Sequence, residues 1–262
     1  MIAESDDHND DLAYRWRNGA LQPIAYPQRT ALDALLGIER QKQALLQNTA
    51  QFVTGRPANH ALLTGARGTG KSSLVKAMLT TFGDRGLRLV EVHPHDLVDL
   101  PEIVAPLRTR PERFLLYVDD FSVAAADPAL VALKTALDGG IEEPPSNVLI
   151  CATGNRRHLV PEYQRENDEY RMVDGELHPG ESAEEKVSLS ERFGLWLSFP
   201  PFDQQQYLEA VRLHLRILGA TRWDQATQQA ALRWALGRGS RSGRVAMQFA
   251  RDYAGRQASE KG

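Results

Sequence analysis

The chain has 262 residues, a formal net charge of −3 and a pI near 6.2; with 42% hydrophobic and 25% charged residues it has the balance of a globular protein. This length accommodates one large domain, or a domain with a small companion. No apolar run approaches the roughly 20 residues a membrane helix needs, and the acidic Met1–Asp7 stretch has no apolar signal-peptide core. Cys151 is the only cysteine, which excludes an intrachain disulfide and argues against a thiolate metal site, so a cytoplasmic location without a membrane partner is expected. The net negative charge excludes a whole-chain electrostatic footprint for nucleic acid.

Residues 1–30, led by the Asp6-Asp7-His8-Asn9-Asp10-Asp11 cluster, read as a weakly ordered extension. Leu32, Leu35, Leu36, Ile38 and Leu45 then recur at helical spacing. His60–Gly65 reads as a buried strand, Lys71–Thr80 as a helix, Leu87–Val92 as a strand and Leu97–Leu107 as a helix. The Phe114–Val118 run is apolar throughout, as in parallel strands covered on both faces. A helix over Pro128–Leu137 and strands over Asn147–Thr153 and Leu195–Phe199 complete an alternating α/β pattern. Between the last two strands, residues 161–184 are too long for an ordinary connection and read as an acidic surface insertion.

From Asp203 the pattern is helical only. Asp203 and Gln206 form a candidate capping pair ahead of a Tyr207, Leu208, Val211, Leu215, Leu218 stripe, and further helices are predicted over Asp224–Leu236 and Ser242–Tyr253. The predicted fold is therefore a three-layer α/β core with a parallel sheet over residues 31–200, followed by a small all-helical domain over 201–262 that would act as a lid. Charge is split between them. Pro161–Glu191 holds ten Asp/Glu against three Lys/Arg, whereas Pro201–Gly262 holds ten Lys/Arg against five Asp/Glu. Two differently solvated surfaces account for this, as would two faces that meet within or between subunits.

Gly65-Ala66-Arg67-Gly68-Thr69-Gly70-Lys71-Ser72 matches G-x-x-x-x-G-K-[ST], between a predicted strand and a predicted helix. The glycines let consecutive N–H groups turn inward toward phosphate oxygens, and the helix beginning with Lys71, Ser72 and Ser73 adds its positive end. Lys71 is assigned to the β- and γ-phosphates of ATP, and Ser72 to Mg²⁺. Asp119 closes the Phe114–Val118 run where a strand end would bring it beside the phosphates, as the second Mg²⁺-directed group; Asp120 is the candidate that polarises the attacking water.

These motifs resemble the AAA+ ATPases over about Leu32–Ala250. The resemblance implies that Leu36-Gly37-Ile38 packs against adenine and that Asn155 is the polar residue orienting the lytic water. It further implies that Arg192 is an arginine finger acting across a subunit boundary, and that Arg244 is the lid arginine, with Arg238 and Arg241 as competitors. A homo-oligomer is implied with it, and a protein or DNA client. The phrases beginning at Leu62, Ala152 and Glu185 resemble a bacterial AAA+ family catalogued only as a domain of unknown function with predicted ATPase activity.

This chain departs from the usual AAA+ pattern in carrying Asp119-Asp120 instead of Asp-Glu, which makes slow hydrolysis or an ATP-dependent switch a rival expectation. His93-Pro94-His95 replaces the aromatic–apolar–glycine triplet of polypeptide-threading members. A small-molecule kinase is disfavoured by the Asn155, Arg192 and Arg244 set, and a GTPase by the lack of an Asn-Lys-x-Asp motif. Cys151 is expected to be buried and inert, His93 and His95 solvated, and Trp196, Trp223 and Trp234 packed.

Overall fold

The computed structural model describes residues 11–121, 128–138, 143–155, 171–173, 176–178, 191–220 and 222–259. Its central sheet has seven strands in the order β2-β1-β4-β5-β6-β3-β9: β1 Ala13–Arg17, β2 Ala20–Pro23, β3 Ala61–Gly65, β4 Leu87–Val92, β5 Arg113–Val118, β6 Val148–Gly154 and β9 Leu195–Phe199. All neighbours pair parallel except β1 with β2. Helices α1 (Glu39–Val53) and α2 (Lys71–Phe82) cover one face, α3 (Leu100–Val104) and α4 (Pro128–Asp138) the other.

Side-chain alternation along β5 explains these layers. Phe114, Leu116 and Val118 enter the core beneath α3 and α4, while Leu115 and Tyr117 enter the core beneath α1 and α2. Removing one such leucine from water contributes about 2 kcal/mol, so a register slip in a central strand is heavily disfavoured. The inert-thiol reading of Cys151 holds: it is fully buried in β6, and burial pushes its pKa up to about 12.

The first correction concerns the N-terminus. Residues 13–23 form a hairpin that extends the sheet, with β1 parallel to β4 and Arg17 opposite Ala20 across an Asn18-Gly19 turn. Both turn residues have positive φ, 53° and 72°, as a two-residue hairpin turn requires. Residues 97–107 are also less helical than expected: a 3₁₀ stretch over Pro94–Asp99 precedes the short α3. Within the expected insertion, β7 (Arg171–Val173) and β8 (Glu176–His178) pair antiparallel, and the rest of 161–184 lies outside the described residues.

After β9 come α5 (Gln204–Ile217), α6 (Gln225–Gly237) and α7 (Gly243–Ser259), packed around Tyr207, Val211, Ala231, Ala246 and Phe249. The Asp203–Gln206 capping box forms in full: the Asp203 carboxylate accepts from Gln206 N–H at 2.8 Å and Gln206 Oε1 from Asp203 N–H at 3.0 Å. Trp223 and Trp234 pack partly buried on this cluster. Trp196 departs from its reading: it stays 44% exposed because β9 is an outer strand, although its indole donates to Thr64 Oγ1 at 2.7 Å. His93 and His95 are solvent-exposed, as expected. No helix among the described residues is long and apolar enough to cross a membrane.

Candidate phosphate site at the end of the central strands

Three glycines shape the loop after β3, at φ 138° (Gly65), 76° (Gly68) and 103° (Gly70). A Cβ on Gly65 would lie 2.0 Å from the Phe199 carbonyl oxygen of β9; one on Gly68 would lie 2.8 Å from Ser242 Oγ and 3.0 Å from Arg244 Cβ. Only glycine lets the loop lie so close to both the sheet and the lid. Thr69 Oγ1 ties the loop internally by donating to Ala66 O at 2.8 Å.

Lys71 opens α2 and is 9% exposed. Its ammonium donates to Gly65 O at 2.8 Å and Ala66 O at 2.7 Å. Burial lowers its pKa; Asp120 and Asp119 oppose that shift, and Arg244 and Arg67 add to it. Lys71 thus lies within electrostatic reach of Arg67 and Arg244 beside the N-terminus of α2, an arrangement suited to several negative charges.

Strand order brings the acidic side of the site into reach. Between β3 and β5 lies β6, and from it Thr153, 1% exposed, bonds to both acidic residues that follow β5. Asp119 Oδ1 accepts from Ser72 Oγ at 2.7 Å and from Thr153 Oγ1 at 2.6 Å, while Asp120 N–H donates to Thr153 Oγ1 at 3.1 Å. Burial opposes charge on Asp119, but the Thr153 and Ser72 hydrogen bonds outweigh it and hold the pKa below the ordinary value. The Tyr117 hydroxyl is buried beneath this pair, near enough to favour charge on Asp119, though it meets neither residue at hydrogen-bonding geometry. Asp120 turns the chain at φ 50°, with its side chain exposed.

The helical segment that follows β9 reaches the loop from a third side. Arg244 N–H donates to Gly68 O at 3.3 Å, so the start of α7 abuts the glycine loop. Ser242, buried at 3%, accepts from Val245 N–H at that helix end. Of the competing arginines, Arg238 stacks over Trp234 at 5.0 Å, whereas Arg244 is joined to the loop through its backbone. On the opposite flank Ile38 Cδ1 comes within 3.4 Å of a Cβ position on Gly70, and Gly37, at φ 73°, faces the Gln206 side chain. Leu36 and Ser73 are half-buried beside them, and Asn155 follows β6 at the same end of the sheet.

Arg192 is not brought into this cluster. It precedes β9 at the end of the strand remote from Phe199, about 13 Å away along the strand alone. There its Nε lies 2.7 Å from both Asp138 carboxylate oxygens at the end of α4. The sequence reading missed Thr153, Tyr117, Ser242 and Gln206. Thr153 could have been found by noting that a β-branched hydroxyl two residues before Asn155 ends a strand placed between two motif strands.

The geometry has counterparts among known proteins. Similar solved structures include the Thermotoga maritima RuvB Holliday junction branch migration motor (TM-score 0.52, 16% identity, 85% of this chain and 63% of that one). Another is the Aeropyrum pernix ORC1 protein in complex with DNA (TM-score 0.55, 16% identity, 80% of this chain and 57% of that one). The chain thus spans less than two thirds of either protein, and at this identity the likeness establishes the AAA+ P-loop fold. No curated protein matches in sequence. A family model described as "Protein of unknown function (DUF815)" matches residues 9–257, and the chain belongs to that family.

Proposed function

We propose that the chain is an ATPase that hydrolyses ATP to ADP and phosphate as an oligomer and couples the cycle to remodelling a protein or DNA partner. The observation that carries this reading is the Ser72–Asp119–Thr153 cluster beside Lys71. Ser72 Oγ and Asp119 Oδ1 are adjacent hard oxygen donors, a set that fits Mg²⁺ completed by phosphate oxygens and water. When bound, Mg²⁺ neutralises charge developing on the β- and γ-phosphates.

The protein groups divide the remaining work. Lys71 exchanges its two carbonyl partners for phosphate oxygens, and the loop amides of Gly65–Ser73 orient the triphosphate. Leu36, Gly37 and Ile38 hold the base. Asn155 positions the lytic water, and the Asp120 carboxylate accepts a hydrogen bond from it. Arg244, already bonded to the loop through its backbone, reports the γ-phosphate to the helical lid over 201–262. Arg192 acts on a neighbouring subunit's phosphate, consistent with its position at the far end of β9.

Phosphate release tests the reading. Asp119→Asn should cut Mg²⁺-dependent hydrolysis at least about 100-fold, while an ATP analogue still binds; unchanged release would sink the assignment. A second reading, an ATP-locked switch, is favoured by the short Asp120 side chain set at φ 50°. It would show tight ATP binding with no phosphate release in any assembly state.

A further inference from the structure

Tyr117 is the penultimate residue of β5, 1% exposed, and lies opposite Cys151 of β6 in the apolar layer that also holds Leu63, Leu74 and Val75. Packing alone calls for phenylalanine here: Phe114, on the other face of the same strand, fills its place without a polar atom. The added hydroxyl works against folding. Among the described residues it is one of four buried side-chain polar atoms with no hydrogen-bond partner, and an unpaired buried hydroxyl disfavours the fold relative to a ring hydrogen.

Only this orphan lies at the phosphate site. Arg88 is near the start of β4, at the far end of the sheet, and His214 and Trp234 belong to α5 and α6. Alternation puts Tyr117 and Asp119, two residues apart, on the α2 side of the sheet. The hydroxyl is within reach of both Ser72 and Asp119 but at hydrogen-bonding geometry with neither. The side-chain donors to Asp119, Ser72 Oγ at 2.7 Å and Thr153 Oγ1 at 2.6 Å, both bond Oδ1. A carboxylate offers about four lone-pair directions, which leaves room for a third donor.

We propose that Tyr117 is a positioning residue for the Mg²⁺-directed pair: its hydroxyl donates to the Asp119 carboxylate when Ser72 Oγ and Asp119 turn toward the cation. In the conformation described it stays unpaired beneath them. This role rests on the reading of Ser72 and Asp119 as Mg²⁺-directed groups. It adds that the chain without this hydroxyl folds at least as well and holds Mg²⁺ less well.

The test compares Tyr117→Phe, Asp119→Asn and the double variant in the full chain. Without nucleotide, Tyr117→Phe should melt at the same temperature or up to about 4 °C higher, because the ring stays and no bond is lost. Binding of a fluorescent, non-hydrolysable ATP analogue is then followed as Mg²⁺ is added. The half-saturating Mg²⁺ concentration should rise about tenfold or more in Tyr117→Phe, as when a group that orients a metal ligand is removed, while analogue binding in excess chelator is unchanged. In the Asp119→Asn background the same substitution should add nothing, because the hydroxyl acts through that carboxylate.

A Mg²⁺ response altered in Asp119→Asn but not in Tyr117→Phe overturns the role of Tyr117 and leaves the Mg²⁺ assignment standing. No change in Asp119→Asn removes the assignment, and the role of Tyr117 with it. Melting more than about 4 °C lower in Tyr117→Phe would mean that the hydroxyl is already bonded in the fold, and additive effects in the double variant that it does not act through Asp119; either result overturns the proposal.

Discussion

Replacing Thr153 with valine keeps the side-chain shape of a residue that is 1% exposed but removes its hydroxyl. Two hydrogen bonds go with it: the 2.6 Å donation to Asp119 Oδ1 and the 3.1 Å acceptance from Asp120 N–H. A bond to a charged acceptor contributes about 1.5–3 kcal/mol and a stranded buried N–H costs about 1–3 kcal/mol; with Asp120 near the surface, the lower half applies and the stability loss should be about 3 kcal/mol. Function should suffer more than folding. Asp119 keeps its Ser72 bond but loses the group that fixes its second direction, and Asp120 loses the tether on its left-handed turn. Misplacement of this kind costs on the order of 100-fold in turnover. The assay is steady-state phosphate release beside equilibrium binding of an ATP analogue. Thr153→Val should lower kcat with affinity nearly retained, and Thr153→Ser should restore most of it. Equal turnover in Thr153→Val and the unaltered protein would refute the claim that Thr153 positions the two carboxylates.

Gly65→Ala should be among the most damaging single-methyl changes, costing at least about 3 kcal/mol, because the new Cβ meets backbone at 2.0 Å and φ is 138°; thermal unfolding measures it. Asp203→Ala removes the cap of α5 and should cost about 1 kcal/mol, read as a small drop in the denaturation midpoint. His60 is held neutral by burial, which lowers its pKa to about 4, while its Nδ1 accepts from Ile150 N–H at 3.0 Å. The unfolded chain binds that proton first, so stability is intact above about pH 6.5 and falls as pH drops toward 4, by up to about 3 kcal/mol. His60→Asn, whose amide oxygen can replace Nδ1, should flatten this part of the pH–stability curve; an unchanged slope would show that other groups cause it.

The loop joining β3 to α2 was legible because its geometry is local: three glycines at positive φ, a lysine and a serine fall within eight consecutive residues. The parallel strands were legible for a similar reason, since Phe114–Val118 and Val148–Gly154 are apolar on both faces. The β1–β2 hairpin escaped, although Tyr14 and Trp16 alternate with Arg15 and Arg17 before Asn18-Gly19. The acidic cluster beside it dominated the composition, and its pairing partner in β4 is 76 residues away in sequence, Ala13 opposite Leu89. The bridge made by Thr153 depends on strand order, which no run of residues states. Arg192 was placed by resemblance, and its pairing with Asp138 is a tertiary contact between the end of α4 and the approach to β9.

Subunit mixing tests the central claim most directly. Lys71→Ala abolishes a subunit's own cradle but leaves its Arg192, whereas Arg192→Ala leaves the cradle and removes the group offered to a neighbour. Phosphate release should be near zero for each variant alone and should reappear when the two are mixed, rising with total protein concentration. A mixture that stays inactive, although each variant assembles and the Arg192→Ala protein binds ATP, would contradict catalysis shared between subunits.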